Sequence, residues 1–129
     1  MRHQNNRLLK INTGAKTKAV YLRVLLSNFL AQGKMVTTQK RAKVLKAETD
    51  HFFSKLLEIM GRYQEQNDAR REAIRHIKSL VYGEDTGKKV IDVLLPKYLK
   101  DGVKTGFVAS YNLGHRVGDA APKVLLRLV

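Results

Sequence analysis

No cysteine occurs anywhere in the 129 residues. Disulfides and thiolate metal sites are therefore excluded, and the composition fits a reducing compartment. No apolar run approaches the ~18 residues that cross a bilayer. The opening Met1-Arg2-His3-Gln4-Asn5-Asn6 lacks the apolar core of a secretory signal. It is basic and free of acids, as transit peptides are, but no amphipathic helical pattern precedes Gly14. The four histidines, His3, His51, His76 and His115, are scattered without metal-ligand spacing. His51 reads as a surface or core-edge residue. There is no paired-carboxylate arrangement and no serine in a strained elbow. Gly102, Gly106, Gly114 and Gly118 match neither the phosphate-binding loop nor the dinucleotide fingerprint. These absences exclude the common enzyme classes and leave no call for a cofactor, a metal or a small-molecule substrate.

The most informative absence is of acidic charge. The first carboxylate in the chain is Glu48, whereas eleven of the 25 basic residues precede it. They are Arg2, Arg7, Lys10, Lys16, Lys18, Arg23, Lys34, Lys40, Arg41, Lys43 and Lys46. The rest of the chain is nearly balanced, with 14 basic and 11 acidic side chains. Like charges repel across a folded surface, so a segregated excess of this kind points to a polyanionic partner. At this length the chain forms one domain with a single core, burying roughly two-thirds of its unfolded surface.

Hydrophobic spacing orders the elements. Residues 1–15 read as an extended basic arm, interrupted by Asn5, Asn6, Asn12 and Gly14, and residues 16–129 as one domain. Leu22, Leu25, Leu26, Phe29 and Leu30 predict a helix over 17–32, stopped by Gly33. Met35-Val36-Thr37 predicts a short strand. Thr38 is placed to cap a long helix over 39–60 whose inward face is Ala42, Leu45, Thr49, Phe52, Leu56 and Met60. Lys40, Arg41 and Lys43 stand at its start, where the helix dipole is already positive. A phosphate bound there would turn that penalty into attraction.

A third helix is expected over 69–82, capped by Asn67 or Asp68, with Ile74, Ile77 and Val81 inward and Gly83 ending it. A fourth is expected over 86–95, capped by Asp85 or Thr86 and ended or kinked by Pro96. After an Asp101-Gly102 turn, Val103 to Asn112 alternates, with Val103, Thr105, Phe107, Ala109 and Tyr111 on one face. A loop then holds His115 and Arg116, and Lys123 to Val129 reads as a last strand. The expected fold is α+β: helix, strand, three helices and two strands, with helices against one face of a small three-stranded mixed sheet. Phe107 reads as core, while Tyr111 is balanced between packing and stacking on a base.

The run Thr37-Thr38-Gln39-Lys40-Arg41-Ala42-Lys43-Val44-Leu45-Lys46 resembles a stretch of the bacterial-type large-subunit ribosomal protein seventeen family. Met1-Arg2-His3, Leu22-Arg23, Leu95-Pro96-Lys97-Tyr98, Gly118-Asp119-Ala120-Ala121-Pro122 and the apolar ending are also similar, in order along the chain. Four places depart from that pattern: Thr105-Gly106-Phe107-Val108-Ala109 lacks the family's arginine, Lys16-Thr17-Lys18 replaces a His-Arg pair, and Asn12-Thr13 and the Gln64 to Asn67 connector are unlike the usual residues there. The resemblance implies the same element order and a structural role on the ribosome. It implies partnership with large-subunit ribosomal RNA and with neighbouring ribosomal proteins, near the nascent-chain exit. It carries RNA contact onto Arg2, His3, Arg23, Thr37, Thr38, Lys40, Arg41, Lys43, Lys46 and Arg116. Charge and position add Arg7, Lys10, Lys16, Lys18, Lys34 and His115. The expected location is the cytoplasm, on the ribosome, with an organellar ribosome as the other setting and no membrane. The rival readings are a free-standing DNA- or RNA-binding module, which would present a helix to a major groove, and a nuclease or RNA-modifying enzyme, for which the sequence offers neither a metal site nor an acid–base pair.

Overall fold

The computed structural model describes residues 17–129. The arm over 1–15 and Lys16 lie outside the described residues. The described chain runs α1 (Lys18–Gln32), β1 (Lys34–Thr38), α2 (Gln39–Arg62) and α3 (Gln66–Leu80). Then α4 (Glu84–Lys89) passes through a π-helical turn (Val90–Leu94) into α5 (Leu95–Asp101), making one continuous helical element. Strands β2 (Val108–His115) and β3 (Pro122–Leu128) close the chain. The class and order are those the sequence implies.

The core forms around α2. Its inward face is Ala42, Leu45, Thr49, Phe52 and Leu56, as the spacing predicts, widened by Val44, Phe53 and Ile59. Met60 is only partly buried against this cluster. The wider stripe arises because α2 is covered on two sides. The sheet lies against one side and α3 against the other. Phe53, Tyr98 and Phe107 meet at centroid separations of 5.0 to 5.3 Å, which ties α2 to α5 and to the approach to β2. Edge and tilted ring pairs at this range add attraction beyond area burial. The buried Thr49 hydroxyl donates to the Leu45 carbonyl at 2.7 Å, so its polar atom costs little.

Several boundaries differ from the sequence expectation. Thr38 does occupy the capping position of α2, but its hydroxyl makes no capping hydrogen bond. Helix α3 begins at Gln66 behind Glu65, not at residue 69 behind Asn67 or Asp68. Its fully buried residues are Ala69, Ala73 and Ile77, with Ile74 half-buried. The small alanines let α3 approach α2 closely, and their weak hydropathy hid that face. The helix stops at Leu80, and Val81 is buried just beyond it. Gly83, with φ +92°, precedes α4 rather than ending α3. Pro96 does not end the last helical element. The π-helical turn lies immediately before it, with the Leu95 N–H donating to the Val90 carbonyl five residues back. That wider turn accommodates a residue that cannot donate and that crowds the preceding carbonyl. The helix continues to Asp101, where Gly102 at φ +68° stops it.

The sheet order is β1-β3-β2, so the last strand is central. Both pairings are antiparallel, which corrects the mixed sheet expected from the sequence. β2 starts at Val108, five residues later than expected, and continues through His115, which is strand and not loop. Residues 103–107 instead connect α5 to the strand. The Phe107 N–H donates to Asp50 Oδ1 at 3.0 Å, which holds the Phe107 ring in the core just ahead of the strand. The expected strand face is consequently split: Phe107 is buried, Ala109 is half-buried, and Tyr111 is exposed.

Candidate nucleic-acid interface

Strand β1 leads straight into α2, so the basic run is divided between a strand and a helix start. The β1–β3 register sets Thr38 opposite Lys123, and the β2–β3 register sets Gly114 and His115 opposite Lys123 and Pro122. The start of α2, the end of β1, the beginning of β3 and the end of β2 therefore share one end of the molecule. Lys40, Arg41 and Lys43 are exposed there and Lys46 is half-buried. The first turn of α2 contains no acidic residue. Its leading backbone N–H groups have no carbonyl acceptor within the helix, and the Thr38 hydroxyl does not serve them.

Two grooves extend this end. One, of about 90 Å³, lies between α2 and the sheet and includes Gln39, Lys43, Lys46, Ser110 and Asn112 in its walls. The other, of about 220 Å³, joins Gln39 and Asn112 to His115 and Lys123. Lys123, Ser110 and Asn112 were not candidates from the sequence. They reach this place only through strand register, which no local pattern encodes. The Arg41 guanidinium lies 5.6 Å from the centre of the Tyr21 ring. That contact brings the first turns of α1 beside the start of α2. Lys18, half-buried, sits three residues before Tyr21 and so on the same side of α1.

Six of the seven ion pairs among the described residues lie elsewhere. Glu58 serves Lys55 and Arg62; Arg70 reaches Asp92; Arg71 reaches Asp68; Arg75 reaches Glu72; and Lys88 reaches Glu84. All lie on α3, on α4 and the π turn, or on the second half of α2. These are exposed pairs that shape the potential more than the stability. Among the described residues no carboxylate pairs with Lys34, Lys40, Arg41, Lys43 or Lys46.

Four candidates from the sequence are engaged within the fold or lie away from this cluster. The Arg23 guanidinium lies 4.1 Å over the Tyr82 ring and points an N–H at the Lys78 carbonyl at 3.5 Å, so it ties α1 to the end of α3. Arg116 is chelated by Asp119 across the β2–β3 turn, and the same carboxylate accepts the Ala121 N–H at 3.2 Å. Arg116 holds the Asp119 carboxyl well below the usual carboxylate range, and the exposed pair is locally neutral. Lys34 is exposed at the far end of β1. Thr37 is half-buried and faces α2 across the sheet, opposite the buried Val124. Arg2, His3, Arg7, Lys10 and Lys16 lie outside the described residues.

Among the described residues no group of three or more His, Cys, Asp or Glu is placed to hold a metal ion. No helix there is long and apolar enough to cross a membrane. What the arrangement offers is several fixed, unneutralised cations around helix-terminal N–H groups and two shallow grooves.

Residues 21–129 match the family model described as Ribosomal protein L17. The chain is 32% identical over 120 residues to the protein called large ribosomal subunit protein bL17 of Thermoanaerobacter sp. (strain X514), covering 93% of this chain and 96% of that one. It is 31% identical, with the same coverage, to the protein of that name from Clostridium perfringens (strain 13 / Type A). The Clostridium acetobutylicum protein of that name is 32% identical across 93% of this chain and 95% of its own length.

Proposed function

The chain belongs to the ribosomal protein L17 family, and from that premise we propose that it is a structural constituent of the large ribosomal subunit, anchored by ribosomal RNA. The family is one of ribosomal structural proteins and not of enzymes. The observation that carries the RNA reading is the acid-free cluster at the start of α2. There Lys43 and Lys46 line one groove and His115 and Lys123 the other, with Lys40 and Arg41 exposed on the adjoining first turn of α2. Lysine and arginine at that spacing neutralise successive phosphates and release their counterions. The contacts are to backbone and shape, because an A-form helix offers side chains little base information in its deep groove. The basic arm, with Arg2, His3, Arg7, Lys10 and Lys16, extends the same charge and orders against RNA. Lys18 adds to the cluster from α1. Arg23 and Arg116 act within the fold, positioning α1 and the β2–β3 turn.

The partners are large-subunit ribosomal RNA and neighbouring ribosomal proteins, and the place of action is the ribosome. Sedimentation of the tagged protein through a sucrose gradient at high salt tests this. Recovery with the large subunit is the expected result. A protein left at the top of the gradient, and still retaining duplex DNA, would replace the proposal with a free-standing nucleic-acid module.

A further inference from the structure

The sheet has two faces; the cluster described above draws Ser110 and Asn112 from the inner one and touches the outer one only at Lys123. The inward face is set by Val124 and Leu126, buried against α2, with Ser110 and Asn112 beside them on β2. Successive side chains alternate, so the neighbours of these residues point to the opposite face. That outer face is fixed by the strand register in three rows. Lys34, Arg127 and Ala109 form one; Val36, Leu125 and Tyr111 the next; Thr38, Lys123 and Gly114 the third.

The middle row is open. Val36 is 55% exposed and Tyr111 is 51% exposed. Single exposed apolar side chains are ordinary, but Val36, Leu125 and Tyr111 are contiguous across three strands, and a contiguous apolar row rimmed by charge marks an interaction surface. The flanking rows are each about 7 Å away, two residues along the strand. They hold Lys34, Arg127 and Lys123, and no acidic side chain lies on any of the three strands. A protein partner would need acids of its own to meet three cations here. A nucleic acid supplies both requirements at once: phosphates for the cations and a base face for the ring. An open sheet with a central aromatic and basic flanks is a general solution for gripping unpaired RNA. Its neutral centre, apolar Val36 and Leu125 beside the ring, suits a stacked base better than a duplex backbone.

We propose that the outer face of the sheet is a second RNA-docking surface, on which Tyr111 stacks an unpaired base while Lys34, Lys123 and Arg127 hold the flanking phosphates. It rests on the ribosomal RNA reading given above and adds a surface that adjoins the start of α2 and shares Lys123 with it.

The test uses the full chain and deproteinised bacterial large-subunit ribosomal RNA, with binding measured by filter retention across a salt series. Tyr111→Ala should weaken binding about five- to hundredfold, the range for one stacked base. Its salt slope should stay unchanged, and Tyr111→Phe should restore most of the affinity. The combined Lys34→Gln and Arg127→Gln protein should lose about 1.4 from the salt slope. Ultraviolet cross-linking of the wild-type complex should place a nucleotide on the peptide containing Tyr111. If the wild type binds and Lys40, Arg41 and Lys43 matter, yet Tyr111→Ala binds as well as wild type and no nucleotide reaches that peptide, this surface is not an RNA site and a neighbouring protein covers it. If the wild type fails to bind this RNA at all, both the RNA reading and this site fall.

Discussion

Replacing Lys40, Arg41 and Lys43 together by alanine separates binding from folding, because the two respond differently. Each neutralised phosphate contributes about 0.7–0.9 to the salt slope of log affinity. Three lost contacts lower that slope by about 2 to 3. Counted from 1 M salt, where counterion release has little left to give, the loss at 0.1 M is about a hundred- to several hundredfold, or ~3–4 kcal/mol. The deficit shrinks steadily as salt is raised. The folded state responds far less. Lys40 and Arg41 oppose the dipole at the acid-free start of α2, and removing such a charge returns a few tenths of a kcal/mol each when exposed. Alanine is also the better helix former. Against this, Arg41 loses its position over Tyr21, which is worth about 0.5–1 kcal/mol at an exposed site. The terms offset, so stability should move by less than ~1 kcal/mol. Filter binding over a salt series, paired with urea unfolding, reads both quantities. A variant that keeps the wild-type salt slope would refute the phosphate assignment. A variant that loses affinity only in proportion to lost stability would refute it as well.

Two further outcomes concern the core. Burial lowers the His76 imidazole below its ordinary 6.5, and the nearby Lys55 and His51 push it the same way. The unfolded chain therefore takes up its proton first as the medium acidifies. Stability contributed by neutral His76 is complete above about pH 6.5 and declines as the pH falls through the lowered folded value. Urea midpoints at about pH 7.5 and about pH 5 should fall further apart for the wild type than for His76→Gln. Tyr98 is raised to about 12 by burial, and among the described residues its hydroxyl has no hydrogen-bond partner. Tyr98→Phe should stabilise the fold by about 1 kcal/mol, the lower end of the cost of an unsatisfied buried group, and raise the melting temperature by about 3–5 °C. A lower melting temperature would mean that the hydroxyl is bonded after all.

The helices were legible because their signals are local. Leu22 to Leu30 and Gly33 bound α1 to within a residue, and Thr38 marks the start of α2 correctly even though its hydroxyl does not cap. α3 was misjudged by three residues at its start because Asn67 and Asp68 are favoured capping residues, whereas the helix starts behind Glu65 and takes both into its first turn. Pro96 misled because proline usually ends a helix, and here the π turn before it absorbs the misfit. The phase of β2 was lost because alternation reads equally well from either parity. Only the Asp50 contact with Phe107 and the pairing of Val108 with Leu128 decide which residues face inward.

The sequence by itself determined the charge asymmetry, the helix order and the basic start of α2, and with them the expectation of a polyanionic partner. Each is a property of neighbouring residues. It also carried the motifs that resemble the ribosomal family. Tertiary structure alone decided that β3 lies between β1 and β2, because strand partners are chosen by packing and by closure of long connections. That choice sets Lys123 against Thr38, gathers His115 and Asn112 beside α2, and leaves Tyr111 on the open face. It also separates the cations that are free to meet phosphate from Arg23 and Arg116, which the fold has already engaged. Lysines and arginines are alike in sequence; their partners in three dimensions make them different.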